Sequence, residues 1–212
     1  MKLLFENWRK YLKEEEEAPQ VLAHLVGQAG SGKTYFINNT LLKKYPEIAA
    51  KDLDDFDDEA DSAMGLKDKS WRASGDPKDI DQEIARKHFG KVQELLNSFL
   101  SENKDKNVFL AGMSVFPWVE GENELKLGDP KFKFYLDIEP ETAAKRRISR
   151  DVEKGLYGDH EPTEEDFQSE LKWAEEEKNM LLKSGYEAAT PEQIMEKMDQ
   201  TMGGGEIDEP TI

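Results

Sequence analysis

With 212 residues, the chain is long enough for one domain with a small appendage and a real buried core. Its formal net charge of −17 repels nucleic-acid backbones and anionic membranes, so a site for a polyphosphate has to be locally basic. The absence of cysteine excludes disulfides and thiolate metal sites; no apolar run reaches membrane-span length and the Lys- and Glu-rich start is unlike a secretion signal, so a soluble cytoplasmic protein is expected.

In chain order, residues 1–17 read as an amphipathic helix with Leu4, Trp8, Tyr11 and Leu12 on one face. It is expected to be an appendage, closed by Ala18-Pro19. The apolar run 21–26 predicts a first strand, and Gly27-Gln28-Ala29-Gly30-Ser31-Gly32-Lys33-Thr34 follows with the spacing G-x-x-x-x-G-K-[ST]. Glycines at these places let the backbone curl until successive N–H groups point inward at a polyphosphate, and the helix that begins beside Gly32 adds its positive end. Lys33 would reach the β- and γ-phosphates, and the Thr34 hydroxyl would hold Mg²⁺. The alternative is a glycine-rich turn with no ligand.

That helix is expected to run to about Lys44, where Tyr45-Pro46 breaks it. Residues 47–53 predict a short strand leading into an acidic run, Asp52 to Asp61. Within it Asp54-Asp55-Phe56 lies about twenty residues past Lys33, and a carboxylate there can orient and deprotonate an acceptor hydroxyl. A solvated acidic loop is the alternative. A calcium loop is not, because starting at Asp55 it would need glycine where Ala60 stands and glutamate where Leu66 stands.

Residues 62–77 read as a loop holding Trp71-Arg72. A long helix is expected from Pro77 to Ser101, with Ile84, His88, Val92, Leu95, Leu96, Phe99 and Leu100 as its apolar stripe and His88 packed in it rather than ligating. Asn107 to Met113 predicts a buried strand, 114–130 a loop whose Phe116 and Trp118 pack over the core, and Lys131 to Ile138 another strand. The next helix opens at Glu139-Pro140-Glu141 and carries Arg146, Arg147 and Arg150. Arginines grip phosphoryl oxygens in a fork, so these could close over a transferring group from a lid at about 150–165; pairing with Glu141, Asp151 and Glu153 is the competing reading. A helix from Thr163 to Lys183 is expected with Phe167, Leu171, Ala174 and Leu181 inside and Glu175 to Glu177 in solvent. A short strand at 186–189, a helix from 190 to about 201 and a flexible acidic tail at 203–212 complete the chain. Alternating strands and helices imply an α/β fold with a parallel sheet covered on both faces.

The order of the 27–34 loop, Asp54-Asp55-Phe56, the apolar strand at 107–113 and Arg147-x-x-Arg150-Asp151 with Gly155 resembles the P-loop kinases, above all the uridine kinase and nicotinamide riboside kinase group. The loop and Asp-Asp-aromatic element also look like polynucleotide kinase, and the opening Leu4 to Leu12 is similar to that of proteins from tailed marine phages. What the resemblance implies is a P-loop NTPase-type three-layer sandwich with a mainly parallel five-stranded sheet, a helical lid and an N-terminal helix, one kinase-like domain covering 18–202. It implies ATP and Mg²⁺ as cofactors, Asp54 as base, and Arg147 and Arg150, with Arg146 less directly, at the transferring group. The acceptor expected is a small nucleoside- or nucleotide-like molecule, with neither nucleic acid nor membrane as partner; an ATP-binding module without transfer and a polynucleotide 5′-kinase are the alternatives. Two departures stand out. The third strand ends in Ala111-Gly112 where the family often has an acid that supports Mg²⁺, and Lys154 replaces the arginine before the lid glycine. GTPase and motor-ATPase signatures fit less well, since Asn103-Lys104-Asp105-Lys106 is misplaced for one and Ala111-Gly112 lacks the acid of the other.

Overall fold

The structure is a computed structural model and describes residues 21–66, 69–72, 77–153, 155 and 161–202. The helix expected over 1–17, the middle of the expected lid and the tail at 203–212 lie outside the described residues. In chain order the elements are β1 (Val21–Val26), α1 (Lys33–Phe36, continued by a π-helical turn Ile37–Leu41 and by Leu42–Lys44), β2 (Ala49–Asp52), α2 (Leu53–Ala63), α3 (Gln82–Glu102), β3 (Val108–Ala111), β4 (Phe132–Leu136), α4 (Pro140–Glu153), α5 (Glu164–Lys183), β5 (Glu187–Ala189) and α6 (Pro191–Met202). Short 3₁₀ turns occupy Lys69–Arg72 and Pro77–Asp79. The strands form one five-stranded sheet in the order β2-β3-β1-β4-β5. β2 runs parallel to β3 from Ala49 opposite Val108 to Asp52 opposite Ala111, and β4 runs parallel to β5 from Phe134 opposite Glu187 to Leu136 opposite Ala189. The expected α/β class with a five-stranded parallel sheet is therefore what the chain adopts. β1 and β3 are buried at every position, as strands covered on both faces should be.

Two compact units divide this chain. The first comprises residues up to His24 together with Tyr45–Phe132. Its core joins Leu53, Phe56 and Ala60 of α2, Ala85, Val92, Leu96 and Leu100 of α3, Val108 and Leu110 of β3, and Phe116, Val119, Leu125 and Leu127 from the following loop. Each buried leucine or phenylalanine contributes about 1.5–3 kcal/mol from lost apolar exposure. α3 starts later than Pro77 because the Asp81 carboxylate accepts from the N–H groups of Glu83 (2.9 Å) and Ile84 (3.3 Å), which fixes the first turn there. Phe116 is buried and meets Phe89 and Trp118 edge-on, so the packing expectation for the two aromatics of the 114–130 loop holds.

The second unit comprises Leu25–Lys44 and the chain from Lys133 onward. Val26, Tyr135 and Leu181 form a buried cluster with Tyr186 and Ala188 against it, and Ile194 and Met198 of α6 are fully buried. α5 begins at Thr163 with a capping box: the Thr163 side chain accepts from the Asp166 N–H, and the Asp166 carboxylate accepts from the Thr163 N–H (2.8 Å). Lys178 of α5 donates to Asp137 at the end of β4 (2.6 Å). Among the described residues no helix is long and apolar enough to cross a membrane.

Candidate functional site

In the second unit β1 ends at Val26 and the chain turns at once. The Ser31 N–H donates to the Gln28 carbonyl (3.0 Å), and the Phe36 N–H donates to the Gly32 carbonyl (2.9 Å), which starts α1. Gly30 has φ +84, and a Cβ on it would lie 3.2 Å from the Ala143 carbonyl oxygen, from Arg146 Cβ and from the Arg147 nitrogen, so only glycine allows the loop this close to α4. Lys33 Nζ folds back and donates to the carbonyls of Gly27 (2.6 Å) and Gln28 (3.2 Å). Its ammonium is thus held across the mouth of its own loop. Thr34 is exposed on the first helical turn.

Beside the loop lies a cavity of about 660 Å³. Gly30, Ser31 and Gly32 form one side, Tyr35, Phe36 and Thr40 of α1 another, and Leu136, Ile138, Pro191 and Glu192 the rest, with Arg146 at its edge. The nearest atom to a Cβ placed on Gly32 is Arg146 Nη1, at 3.9 Å. Of the arginines read from the sequence, Arg146 is the one that lines this cavity. Arg147 turns to the opposite side, where Nη1 meets Glu170 (3.0 Å), Nε meets Asp151 (3.7 Å) and the guanidinium lies 4.8 Å from the Trp173 ring. Arg150 pairs with its neighbour Asp151 (3.0 Å). The pairing reading thus describes both residues in this structure, with Glu170 as a partner that spacing along one helix could not reveal. These pairs are half-buried, so water screens them only in part.

On the inner side of the loop the structure corrects one expectation. Glu177 was read as part of a solvated run with Glu175 and Glu176, but it is only 6 % exposed. It follows Ala174 on the inward face of α5, three residues on. Burial pushes its carboxyl above the usual range, while the Lys33 ammonium and the Arg147 guanidinium oppose that rise. Tyr135 of β4 is also buried; desolvation raises its phenol strongly, Glu177 adds to this, and a hydrogen bond with the Gln28 side chain acts against it. A continuous i, i+3 phase from Leu171 through Ala174 was the signal that could have placed Glu177 inside.

In the first unit the acidic run is helical, which overturns its reading as a solvated loop. β2 stops at Asp52, one residue short of the expected strand, because Asp52 Oδ1 accepts from the Asp54 N–H (3.2 Å) and caps α2. Asp54-Asp55-Phe56 is consequently the first turn of a helix, with both aspartates exposed and Phe56 in the core. Asp52 lies opposite Ala111 in the sheet register, and its Oδ1 would come within 2.8 Å of a Cβ on Gly112, whose φ is +101. A carboxylate therefore stands beside the end of the strand that lacks its own acid. The Gly112 carbonyl is held by His24 Nε2 at 2.8 Å, which gives that buried histidine a structural partner.

Further along α2, Asp57 and Asp61 are not solvated. The Arg72 guanidinium forks onto both Asp57 oxygens (2.7 Å each) and reaches Asp61 Oδ2 (3.0 Å), while the Trp71 and Trp118 rings lie 5.1 and 4.7 Å from it. His88 Nε2 lies 3.1 Å from Asp61 Oδ1, and Trp71 Nε1 donates to the same oxygen (3.2 Å). Asp57, Asp58 and Asp61 are close enough to hold a cation together, but Arg72 already supplies the positive charge at two of them. His88 is packed as expected; what spacing alone did not reveal is that its neighbours are charged.

The chain has an α/β fold with a single five-stranded parallel sheet. The crystal structure of TT1252 from Thermus thermophilus is similar to it at 17 % identity and a TM-score of 0.56, covering 88 % of this chain and 100 % of that one. No family model matches the chain, and no curated protein matches it.

Proposed function

We propose that this protein is an ATP-dependent phosphotransferase acting on a small nucleoside- or nucleotide-like acceptor. The observation that carries the reading is the loop of the second unit, whose turn, following helix and folded-back Lys33 suit a polyphosphate, together with the adjoining cavity. At about 660 Å³, walled by Tyr35, Phe36, Leu136, Ile138 and Pro191, that cavity has room for a base and sugar. Bound Mg²⁺ would neutralise charge on the β- and γ-phosphates, with the Thr34 hydroxyl as its ligand from this chain. Lys33 orients the same phosphates, and Arg146 adds the nearest guanidinium. Arg147 and Arg150 act on the transferring group only by exchanging Glu170 and Asp151 for phosphoryl oxygens. Asp54, exposed at the start of α2, is the residue proposed as base, an assignment that rests on its place in the sequence.

Calorimetry with ATP, followed by transfer assays over a nucleoside and nucleotide panel, tests this. Lys33→Ala is expected to lose both binding and transfer, and Asp54→Asn to lose transfer while binding persists. Normal turnover in Asp54→Asn removes the base assignment. The missing acid at Ala111 favours one second reading, an ATP-binding interaction module; tight ATP binding without acceptor-dependent ADP release would establish it.

A further inference from the structure

The inward face of α5 places Ala174 and Glu177 next to the phosphate loop's own unit neighbours. Gln28 and Ala29 of the loop, Ala143, Ala144 and Arg147 of α4, and Trp173 and Ala174 of α5 surround one small cavity. Glu177 continues that face, buried to more than nine-tenths, and its Oε2 accepts no hydrogen bond. The charged groups acting on it are Lys33 from α1 and Arg147 from α4, and the Tyr135 phenol from β4 lies near enough to feel its charge. A carboxylate buried with one oxygen unbonded is costly unless its charge has a use. Glutamine or leucine would fill the same space without that cost.

We infer that Glu177 is a positioning residue for Lys33, an internal anion that competes with an incoming polyphosphate for the loop's ammonium. The inference rests on the reading of residues 27–34 as a polyphosphate site. The carbonyls of Gly27 and Gln28 fix the direction of the lysine side chain. Glu177 sets the charge that an entering anion meets. A phosphate chain must draw Lys33 toward itself against a negative charge already present in a weakly screened interior. Affinity is held down, and a spent nucleotide leaves sooner. Arg147, paired outward with Glu170, gives only partial relief.

The probe is inorganic tripolyphosphate without metal, titrated calorimetrically into the wild type and Glu177→Gln. Glu177→Gln keeps the size of the side chain and removes its charge, and at pH 8 it is expected to bind about tenfold tighter, the effect of one pKa unit of coupling. The affinity ratio of the two proteins should fall toward one as the pH drops through the Glu177 titration, since a protonated Glu177 no longer competes; a packing role would give no such profile. Equal or weaker binding by Glu177→Gln overturns the inference. A ligand-free measurement stands beside it: the ¹³C carboxyl titration of Glu177 should move up in Lys33→Met, and an unmoved titration overturns the inference too. If the titration moves but neither wild type nor Glu177→Gln takes up tripolyphosphate, the polyphosphate reading fails and the competition falls with it, and the intact Lys33–Glu177 coupling tells this failure from the other.

Discussion

Replacing Arg72 by methionine should uncover how much of the first unit depends on one buried cation. The guanidinium is 8 % exposed and makes three short hydrogen bonds, two to Asp57 at 2.7 Å and one to Asp61 at 3.0 Å. Methionine fills much of the space between Trp71 and Trp118 but leaves two buried carboxylates facing each other. Breaking a buried pair from one side costs about 3–5 kcal/mol. Against a total stability of about 5–15 kcal/mol, that is a large share. Urea unfolding at pH 8 measures it, and the triple variant with Asp57→Asn and Asp61→Asn should recover most of the loss. The pH dependence adds a sign. In the wild type burial lowers the His88 pKa from its ordinary value of 6.5, and Arg72 lowers it further, while Asp57 and Asp61 act the other way. The folded state therefore binds fewer protons than the unfolded chain, and this contribution is present above that ordinary value and fades as the pH falls below it. Without Arg72 the imidazole is, among the described residues, the nearby group that can carry a cation's charge for the two carboxylates, and its pKa moves up. The deficit of Arg72→Met should accordingly be smaller at pH 6 than at pH 8. A loss below about 1 kcal/mol at pH 8, or the same deficit at both pH values, would refute the assignment of Arg72 as the charge that makes this cluster stable.

Two further outcomes follow from single positions. Gly112→Ala forces a side chain into φ +101 and to within 2.8 Å of Asp52 Oδ1, so backbone strain and loss of the α2 cap together should cost about 2–4 kcal/mol, read from denaturant midpoints. Arg146→Ala should weaken ATP binding by about 1.5–3 kcal/mol, roughly ten- to a hundredfold, if it contacts the nucleotide from the cavity edge; Arg147→Ala, whose guanidinium is engaged by Glu170, should weaken it far less, and the reverse order in calorimetry would return the phosphate-gripping role to Arg147.

The sequence-level signals succeeded where spacing and backbone requirement coincide. The turn at Gly27 to Gly32 could be read because its glycines answer the backbone demand of one short turn, and β1 and β3 could be read because buried parallel strands are apolar throughout. What failed depends on contacts far apart in the chain. Arg146, Arg147 and Arg150 look alike on one helix; only the close approach of Gly30 to α4 and the position of Glu170 on α5 decide which guanidinium lines the larger cavity and which is paired. Asp54 and Asp52 are likewise two residues apart, and the cap that ends β2 at Asp52 is a local hydrogen bond that a hydrophobic pattern does not register. Asp57 and Asp61 read as solvent-facing because their partner, Arg72, comes from a segment with no periodicity at all.

The wide turn at Ile37–Leu41 means that α1 holds one residue more than an α-helix of the same rise requires. Asn38 and Asn39 are exposed within it, whereas Leu41 is fully buried. Deleting one asparagine would let the turn close to ordinary α-helical bonding while Leu41 keeps its anchorage and residues 27–34 keep theirs. Thr40, on the wall of the cavity, lies within that turn. A length change of one residue is thus a way to reshape the chamber beside residues 27–34 without altering those residues themselves.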